Sequence, residues 1–399
     1  MSVDTNQLYY DPYDYEIDTY PHPVWKRMRD ERPLYYNEKH NFYAVSRYRD
    51  VRDMSADWRT YSSAHGSVLE LIEAPPEVLE VARNMLFEDP PIHDEHRAIL
   101  SRSFTPRRIS ALEAQIRSLC RSYLEELSPA GFDFVRDYGA KLPMMVIGML
   151  LGVPEQDREY VRALADQLVH RDEGATEYDV TGQRGMIDYF ADLVAERRQH
   201  PTEDLISDLT HANVKSKDGS TRKMDNDELL RYISLVAAAG NETVANLMGW
   251  AGITLWRHPD QRQALIDDRS LIPNAVEELL RYEAPSPIQA RLVMQDVEVH
   301  GTTVPEGARM ALLTGSAGRD ERAYPDPDRF DVRRSFDNHV SFGHGIHFCL
   351  GAALARLEGR VGLEEMIDRF PAWAVDEQGA EMVHTSTVRG WATLPVVAN

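Results

Sequence analysis

Cysteine and positive charge are both scarce in this sequence. Only two cysteines, Cys120 and Cys349, occur in 399 residues, and they lie far apart in the chain. Such a pair argues against a disulfide framework and is typical of a reducing compartment. Lysine and arginine together number 44 against 65 aspartates and glutamates, which gives a formal net charge of −21. Nucleic acids and anionic membranes attract positive surfaces, so neither is an expected partner.

Long apolar runs and targeting signals are also missing. The longest strongly apolar stretch, residues 142–153, is too short to span a bilayer and predicts a buried helix. Residues 1–6 lack the basic and then apolar pattern of a signal peptide. We therefore expect a cytoplasmic protein without a membrane anchor.

The periodicity of the apolar residues is mostly helical. The hydrophobic fraction of 43% and the charged fraction of 27% are close to globular averages, so a folded chain is expected. Apolar positions recur every three or four residues, which predicts helices, over residues 111–127, 157–169, 186–197, 274–282 and 350–370. Alternating stretches predict strands at residues 42–45, 297–300 and 310–313. The predicted fold class is mainly α with a small β portion.

One segment, residues 225–258, predicts a single helix of unusual length. Asp225 with Glu228 three residues later resembles a capping arrangement, and His258 precedes a proline that ends the pattern. The helix would be about 50 Å long and would cross a whole domain. A glycine inside a helix costs about 1 kcal/mol relative to alanine, so Gly240 needs a compensating contact. Close approach of a ligand and simple crossing of another helix both remain possible there.

The strongest local signal is the run FGHGIHFCLG at residues 342–351, directly before a helical pattern. Its glycines allow a tight turn that can pass close to a flat group. Near the start of a helix, the thiolate of Cys349 is stabilised by the helix dipole and free N–H groups. These are the properties that a thiolate ligand of a metal requires.

This run resembles the haem-binding loop of cytochromes P-450, and it matches the family pattern F-G-x-G-x-H-x-C-x-G at every fixed position. The resemblance implies haem b, with the iron held by Cys349 and further contacts from Phe342, Gly343, His347 and Gly351. It also implies the family's mainly helical fold as one domain over residues 1–399, which we expect to be a monomer. In this family the thiolate favours cleavage of the O–O bond.

The loop has two other interpretations. Zinc could bind His344, His347 and Cys349, but structural zinc usually takes four ligands from two separated pairs, and no second pair follows. A buried structural cysteine beside unrelated glycines is the ordinary alternative. The match over ten residues favours haem ligation over both.

Other family motifs follow the expected order. Glu278 and Arg281 match the E-x-x-R helix motif, and residues 327–330 match the later P-x-R-F segment. An E-x-x-R pair alone usually indicates a solvated ion pair on one helix face. The resemblance instead implies that Glu278, Arg281 and Arg329 form a structural cluster behind the haem loop.

Residues 89–97 are similar to the family's D-P-P-x-H-x-x-x-R stretch. The resemblance implies that His93 and Arg97, together with Arg291 and His347, contact the two haem propionates. Such groups suit carboxylates because charge-assisted hydrogen bonds are strong. His96, in the same stretch, has no assigned role.

The middle of the long helix matches the family motif A/G-G-x-D/E-T. The resemblance places Ala239 and Gly240 against the distal face of the haem, with Glu242 and Thr243 as the catalytic acid and alcohol. An adjacent acid and hydroxyl can order water and relay protons during oxygen activation. Some relatives that use hydrogen peroxide lack this pair, so its presence favours O2 with a reductase. A gas sensor or ligand carrier, the non-catalytic alternative, has no need for proton delivery.

Electrons must come from a separate partner, because the chain has neither a dinucleotide fingerprint nor a cysteine set for an iron–sulfur cluster. We expect a ferredoxin and a ferredoxin reductase fed by NAD(P)H. A basic patch for an acidic ferredoxin could form from arginines that the family places around the cysteine side, or these could be scattered solvated residues. The arginines are Arg97, Arg102, Arg107, Arg108, Arg117, Arg356 and Arg360.

The segments that line the substrate pocket in relatives are largely apolar here. They are residues 68–72, 85–87, 164–169, 236, 287–289 and 385–388. This composition favours a lipophilic small molecule such as a terpenoid, fatty acid, steroid or polyketide, although the same residues could equally form ordinary core.

Overall fold

The computed structural model describes residues 8–169, 172–215, 219–335, 338–385 and 387–398. The signal-peptide expectation rests on residues that lie outside these ranges. Within them the helices are α1 Tyr15–Thr19, α2 His22–Glu31, α3 Tyr48–Ala56, α4 Leu69–Ile72, α5 Pro76–Ala82, α6 Ile92–Leu100, α7 Pro106–Ala111, α8 Glu113–Glu126, α9 Lys141–Leu151, α10 Arg158–Val169, α11 Thr181–Gln199, α12 Leu205–His211, α13 Asn226–Ala239, α14 Glu242–Arg257, α15 Pro259–Asp267, α16 Ile272–Tyr282, α17 Thr314–Ala317 and α18 Ala352–Arg369. A π-helix spans Phe134–Gly139, and short 3-10 helices include Met85–Phe87 and Gly345–His347.

The strands are short and form small sheets. They are β1 Leu34–Asn37, β2 Phe42–Val45, β3 Tyr61–Ser62, β4 Phe132–Asp133, β5 Val214–Lys215, β6 Thr221–Arg222, β7 Gln289–Val293, β8 Val297–Val299, β9 Thr302–Val304, β10 Arg309–Leu312, β11 Trp373–Val375, β12 Glu381–His384, β13 Arg389–Thr393 and β14 Pro395–Ala398. The largest sheet has the order β1-β2-β10-β7-β3, with β10 parallel to β2 and the other pairs antiparallel. The predicted fold class, mainly α with a small β portion, is therefore confirmed.

The helix and strand predictions agree with these bounds to within a few residues at most ends. The strand at residues 42–45 coincides with β2, whereas the last predicted helix begins at Ala352 rather than residue 350. In the described part of the chain, no helix is both long and apolar enough to cross a membrane.

The predicted long helix is two helices, α13 and α14, separated at Gly240 and Asn241. Its start is as predicted, because Asp225 and Glu228 form a complete capping box. The periodicity of the sequence continues through the break, so the prediction of one continuous helix was wrong. A Cβ on Gly240 would lie 2.8 Å from side-chain atoms of Ile147, which shows that α9 packs closely against the break.

The main hydrophobic core surrounds α14 and α18. Gly359 on α18 packs against Leu247, and Gly362 packs against Met248. Just before α18, Leu350 packs instead against a second cluster that includes Val236 and Ala237 of α13. The segment after Cys349 therefore contacts the cluster to which the end of α13 belongs.

Candidate active site

The cysteine loop contains two backbone positions with positive φ, and both are occupied by glycine. Gly343 and Gly345 have φ values of 72° and 76°, which lie in the left-handed region. A Cβ on Gly345 would also lie 2.7 Å from the Cα of Ala56 on α3. The backbone N–H of Cys349 donates to the carbonyl of Phe342 over 2.8 Å and closes the loop. The loop thus presents one thiol in a defined place.

Opposing influences act on the Cys349 thiol. Burial raises its pKa, whereas a hydrogen bond from the backbone N–H of Gly351 and the charges of Arg97 and Arg356 act to lower it. Arg97 also donates to the carbonyl of Phe348 over 2.5 Å. Donors and positive charge next to the sulfur are the surroundings expected for a thiolate that binds a metal.

Four nitrogen-bearing side chains converge beside this loop, and among the described residues only His93 contacts a carboxylate, that of Asp94. The rings of His93 and His347 lie 4.5 Å apart, and the Nε2 atom of each is buried without a hydrogen-bond partner in the described ranges. Burial, then the charges of Arg291 and His93, lowers the pKa of His347 to about 2. Burial lowers the pKa of Arg291 to about 10, and neither Arg291 nor Arg97 forms an ion pair with a described residue.

These four groups are His93, Arg97, Arg291 and His347, the set predicted to contact propionates. Strand β7 positions Arg291, and α6 carries His93 and Arg97. Buried donors and cations without partners are costly unless an anion binds them. The residues present therefore fit a dianionic group such as haem beside Cys349.

The helix break places the predicted acid and alcohol next to each other. Thr243 donates its hydroxyl to the carbonyl of Ala239 over 3.2 Å, and Ala239 is exposed although it lies in the middle of the chain. The Oε2 atom of Glu242 is buried and has no hydrogen-bond partner among the described residues. Burial, reinforced by the charge of Asp166, raises the pKa of Glu242 well above its usual range.

Gly240 has a packing explanation of its own. Its Cβ position points at Ile147 of α9, so the compensating contact is a crossing helix. A contact between Gly240 and haem stays a prediction, whereas Ala239 offers an exposed methyl group at the break.

The cluster behind the haem loop contains a different third arginine from the predicted one. Glu278 and Arg281 are fully buried and joined by two hydrogen bonds, so this pair is not a solvated one. Arg334 completes the cluster with a distance of 3.1 Å from its Nε to Glu278 Oε1. The Arg329 side chain is 65% exposed and pairs with Asp331, so its predicted place was wrong.

Replacing Arg334 with alanine should lower the free energy of unfolding by about 2 kcal/mol, because its hydrogen bonds to Glu278 and to the carbonyls of Asp326 and Arg329 are charge-assisted. Arg329→Ala is the matched control and should cost less than about 1 kcal/mol, as expected for a surface ion pair. Urea unfolding of both variants measures the difference. An equal loss in the two would contradict the assignment.

His96, which had no predicted role, lies in a buried polar network. Its Nδ1 is 2.9 Å from Glu88 and 2.6 Å from the hydroxyl of Tyr232, and its Nε2 is 3.4 Å from Glu228. The network joins α6 to α13. The only signal in the sequence was the spacing of three residues from His93, which places both histidines on one helix face.

Most of the predicted basic patch is neutralised by carboxylates. Arg108 pairs with Asp208, and Arg356 pairs with Glu277. The other paired members are Arg117 and Arg360, which contact Glu113, Glu364 or Glu365. Within the described ranges, Arg102 and Arg107 are exposed and form no ion pair.

The predicted pocket segments do not all meet. Met85, Leu164 and Val236 belong to one hydrophobic cluster, which Ala238 also contacts. The segment at residues 68–72 divides between two other clusters. The side chains of residues 168 and 169, and residue 386, lie outside what the structure describes.

The zinc interpretation has no support in the geometry. Among the described residues, no group of three His, Cys, Asp or Glu side chains is arranged to hold a metal ion. Both cysteines are free thiols.

Comparison with known proteins identifies the family. The family model for cytochrome P-450 matches residues 180–393. A cytochrome P-450 of Mycobacterium tuberculosis is 42% identical over 99% of this chain and 98% of its own length. The vitamin D(3) 25-hydroxylase of Pseudonocardia autotrophica is 35% identical over 94% of this chain and 93% of its own length.

A solved structure shows the same fold. The cytochrome P-450 of Bacillus megaterium in complex with testosterone has a TM-score of 0.86 at 28% identity, covering 96% of this chain and 99% of that one. The predicted haem b cofactor and the enzyme class are thereby confirmed. The chain belongs to the cytochrome P-450 family and is a haem b monooxygenase.

Proposed function

We propose that the protein oxidises a lipophilic small molecule, with Glu242 and Thr243 delivering protons and a ferredoxin system supplying electrons. The observation that carries this proposal is the acid–alcohol pair at the break between α13 and α14. A sequence offset of one residue turns two side chains by about 100° around a helix, so the acid and the alcohol project from different faces. The pair can thus take a proton on one face and release it on the other.

The residues around Cys349 fit the haem in defined roles. Cys349 would hold the iron, and His93, Arg97, Arg291 and His347 would bind the two propionates. When bound, haem supplies the oxygen-binding iron, and the thiolate favours cleavage of the O–O bond. Phe342, Gly343 and Gly351 shape the loop that carries the sulfur, since Gly343 needs its left-handed backbone.

The overall reaction that these residues serve consumes one O2, two electrons, two protons and the substrate, and yields the hydroxylated product and water. The chain itself undergoes no net change. Its contribution is to hold and release protons at the carboxyl of Glu242 and the hydroxyl of Thr243, where general acid–base groups act.

An apolar substrate is supported by the hydrophobic cluster to which the end of α13 belongs, and we propose this cluster as a wall of the substrate pocket. Met85, Leu164 and Val236 are buried members of it, and Ala238, which precedes the exposed Ala239, packs against it. Two proteins similar to this chain are associated with lipophilic molecules. One is named a vitamin D(3) 25-hydroxylase, and the other was solved in complex with testosterone. A terpenoid, fatty acid, steroid or polyketide would suit such a wall.

Electron supply from a ferredoxin is supported by charge on the cysteine side. The unpaired Arg107 lies on α7, which packs against α18, the helix that follows Cys349, and the unpaired Arg102 lies four residues before α7. An acidic ferredoxin would be steered to such a patch.

A cytoplasmic location is consistent with the two free cysteines.

Turnover with isotope-labelled O2 tests the proposal. Compounds that shift the Soret band on binding are first selected from a lipophilic library. Purified enzyme with ferredoxin, ferredoxin reductase and NADPH should then convert a selected compound into a product that carries one labelled oxygen atom. Omitting the ferredoxin should abolish the product. Equal product formation from hydrogen peroxide alone, with no dependence on ferredoxin, would contradict the proposed electron supply.

A further inference from the structure

The ring of His96 lies between two carboxylates that come from different parts of the fold. Its Nδ1 atom is 2.9 Å from Oε2 of Glu88, four residues before α6, and its Nε2 atom is 3.4 Å from Oε1 of Glu228 on α13. The ring is 2% exposed, and the side chains of Glu88 and Glu228 are 6% and 15% exposed. We call these three residues the histidine clamp.

The Nδ1 atom of His96 carries a proton, because both of its neighbours can only accept one. The hydroxyl of Tyr232 donates its single proton to Oε1 of Glu88 over 2.7 Å, so its oxygen is an acceptor for the ring nitrogen 2.6 Å away. Burial acts to raise the pKa of Glu88, but hydrogen bonds from His96 and Tyr232 hold that pKa below its usual value. Glu88 is therefore an ionised acceptor.

The Nε2 atom of His96 faces a carboxylate as well. Among the described residues it is buried without a hydrogen-bond partner, and its ion-pair contact there is Oε1 of Glu228. A lone pair on Nε2 would point at this negative oxygen, whereas an N–H group would be attracted to it. Both sides of the ring are satisfied only when His96 is an imidazolium.

The charges of the clamp balance only with a protonated ring. Arg222 on β6 donates to both oxygens of Glu228, over 2.5 and 2.7 Å. Two carboxylates with one guanidinium leave one negative charge, which the imidazolium of His96 neutralises. A buried carboxylate without a counter-charge is costly. The other titratable side chains on the segments packed around the clamp include Arg83, Asp89, His93, Asp94, Glu95, Arg97, Lys215, Asp225, Asp227 and Arg231.

The clamp holds the helix that carries two of the proposed haem-binding groups. His93 and Arg97 lie on α6, three residues before and one residue after His96. The ring of His93 is 4.5 Å from that of His347, and Arg97 donates to the carbonyl of Phe348. A displacement of α6 from α13 would therefore move both groups relative to the cysteine loop.

We propose that His96 is a positioning residue, which as an imidazolium between Glu88 and Glu228 locks α6 onto α13 and thereby sets how firmly haem is held. The inference rests on the proposed propionate contacts of His93 and Arg97. Loss of one ring proton leaves a lone pair on Nε2 against the carboxylate of Glu228. The clamp is therefore strong while the ring is protonated and weakens as the pH rises through the titration of the ring.

Haem transfer to an excess of apomyoglobin measures haem release from the ferric enzyme without substrate or electron donor. In the unmodified protein the release rate should rise several-fold from acid to mildly alkaline pH. In His96→Gln the amide keeps a donor for Glu88 but carries no charge, so release should be fast at every pH. In Glu228→Gln the rise should shift to lower pH, because the protonated ring loses one of its two counter-charges.

The matched control is His300→Gln, because His300 between β8 and β9 also pairs with a carboxylate, that of Asp50. It should keep the rate and the pH dependence of the unmodified protein. Slow release in His96→Gln, or the same rise with pH, would overturn the role of His96. Arg97→Gln should speed release at every pH and keep the rise. Unchanged release in Arg97→Gln would instead contradict the haem contact, so the two failures are distinguishable.

The protonation of His96 can also be observed without replacing it. The reduced carbon monoxide complex is diamagnetic, so the nitrogen resonances of isotope-labelled histidines can be followed across pH. One histidine should have both ring nitrogens protonated at the pH values of slow haem release, and Glu228→Gln should shift its titration to lower pH. If no histidine titration moved in Glu228→Gln, the clamp would be excluded.

Discussion

Replacing Cys349 with alanine is expected to abolish the strongly red-shifted Soret band that the reduced enzyme shows with carbon monoxide. That band is typical of a haem bound by a thiolate, and the alanine variant offers no sulfur in the loop. The other cysteine cannot substitute, because Cys120 is fully buried on α8 and burial raises its pKa to about 12. The loss should therefore be complete.

Cys120→Ala is the matched control, and its spectrum should equal that of the unmodified enzyme. Haem content should be measured in both variants, since the four groups proposed to bind the propionates remain in each. A Cys349→Ala variant that kept the red-shifted band would remove Cys349 as the ligand. Loss of the band in Cys120→Ala would contradict the proposal that Cys349 and not Cys120 is the ligand.

Changing Thr243 to alanine is expected to uncouple NAD(P)H oxidation from product formation. Without the hydroxyl, proton delivery at the break is incomplete, so reduced oxygen should leave as hydrogen peroxide. Glu242→Gln should instead slow the whole reaction, because the amide cannot hold and release a proton next to Thr243. General acid–base groups contribute roughly 10²–10⁴-fold, which sets the upper limit for either loss.

The measurement is the ratio of product to NAD(P)H consumed, with hydrogen peroxide assayed in parallel. Substrate binding, followed by the Soret shift, should change little in both variants. Ser234→Ala is a suitable control, because the Ser234 hydroxyl is buried on α13 with no partner among the described residues. Normal coupling and turnover in both test variants would show that the pair has no role in proton delivery.

The pH dependence of turnover should follow the protonation of Glu242. A carboxyl whose pKa is raised by burial keeps its proton to higher pH than an exposed glutamate. Proton release by Glu242 should therefore persist at neutral pH and fall as the pH rises through that raised value. The Asp166→Asn variant should show this fall at lower pH, since it removes one cause of the raised pKa.

Local signals in the sequence were sufficient for several elements of the site. The capping box of Asp225 and Glu228 involves residues three positions apart, and the positive φ of Gly343 is a property of one residue. The cysteine loop was recognisable because its turn requires glycines at fixed spacing. Residues that interact over so short a distance in the chain leave a pattern that can be seen without the fold.

Contacts between distant segments could not be assigned in this way. Arg329 was chosen for the buried cluster because it lies in a motif, whereas the fold brings Arg334 to Glu278 across 56 residues. Arg108 seemed available for a partner until folding placed Asp208 beside it. Charge pairing depends on which surfaces pack together. The local sequence around an arginine therefore does not determine whether a carboxylate lies beside it in the fold.

The sequence by itself determined the fold class, the cysteine loop and the types of residue at the helix break. Only the tertiary structure decided that the long helix breaks at Gly240, where α9 packs through Ile147. Only it showed that Glu242 lines a cavity of about 690 Å³ together with Asp166, which lies 76 positions earlier on α10. The physical reason is that turns and caps depend on neighbouring residues, whereas cavities, breaks and buried charge networks depend on how separate helices pack.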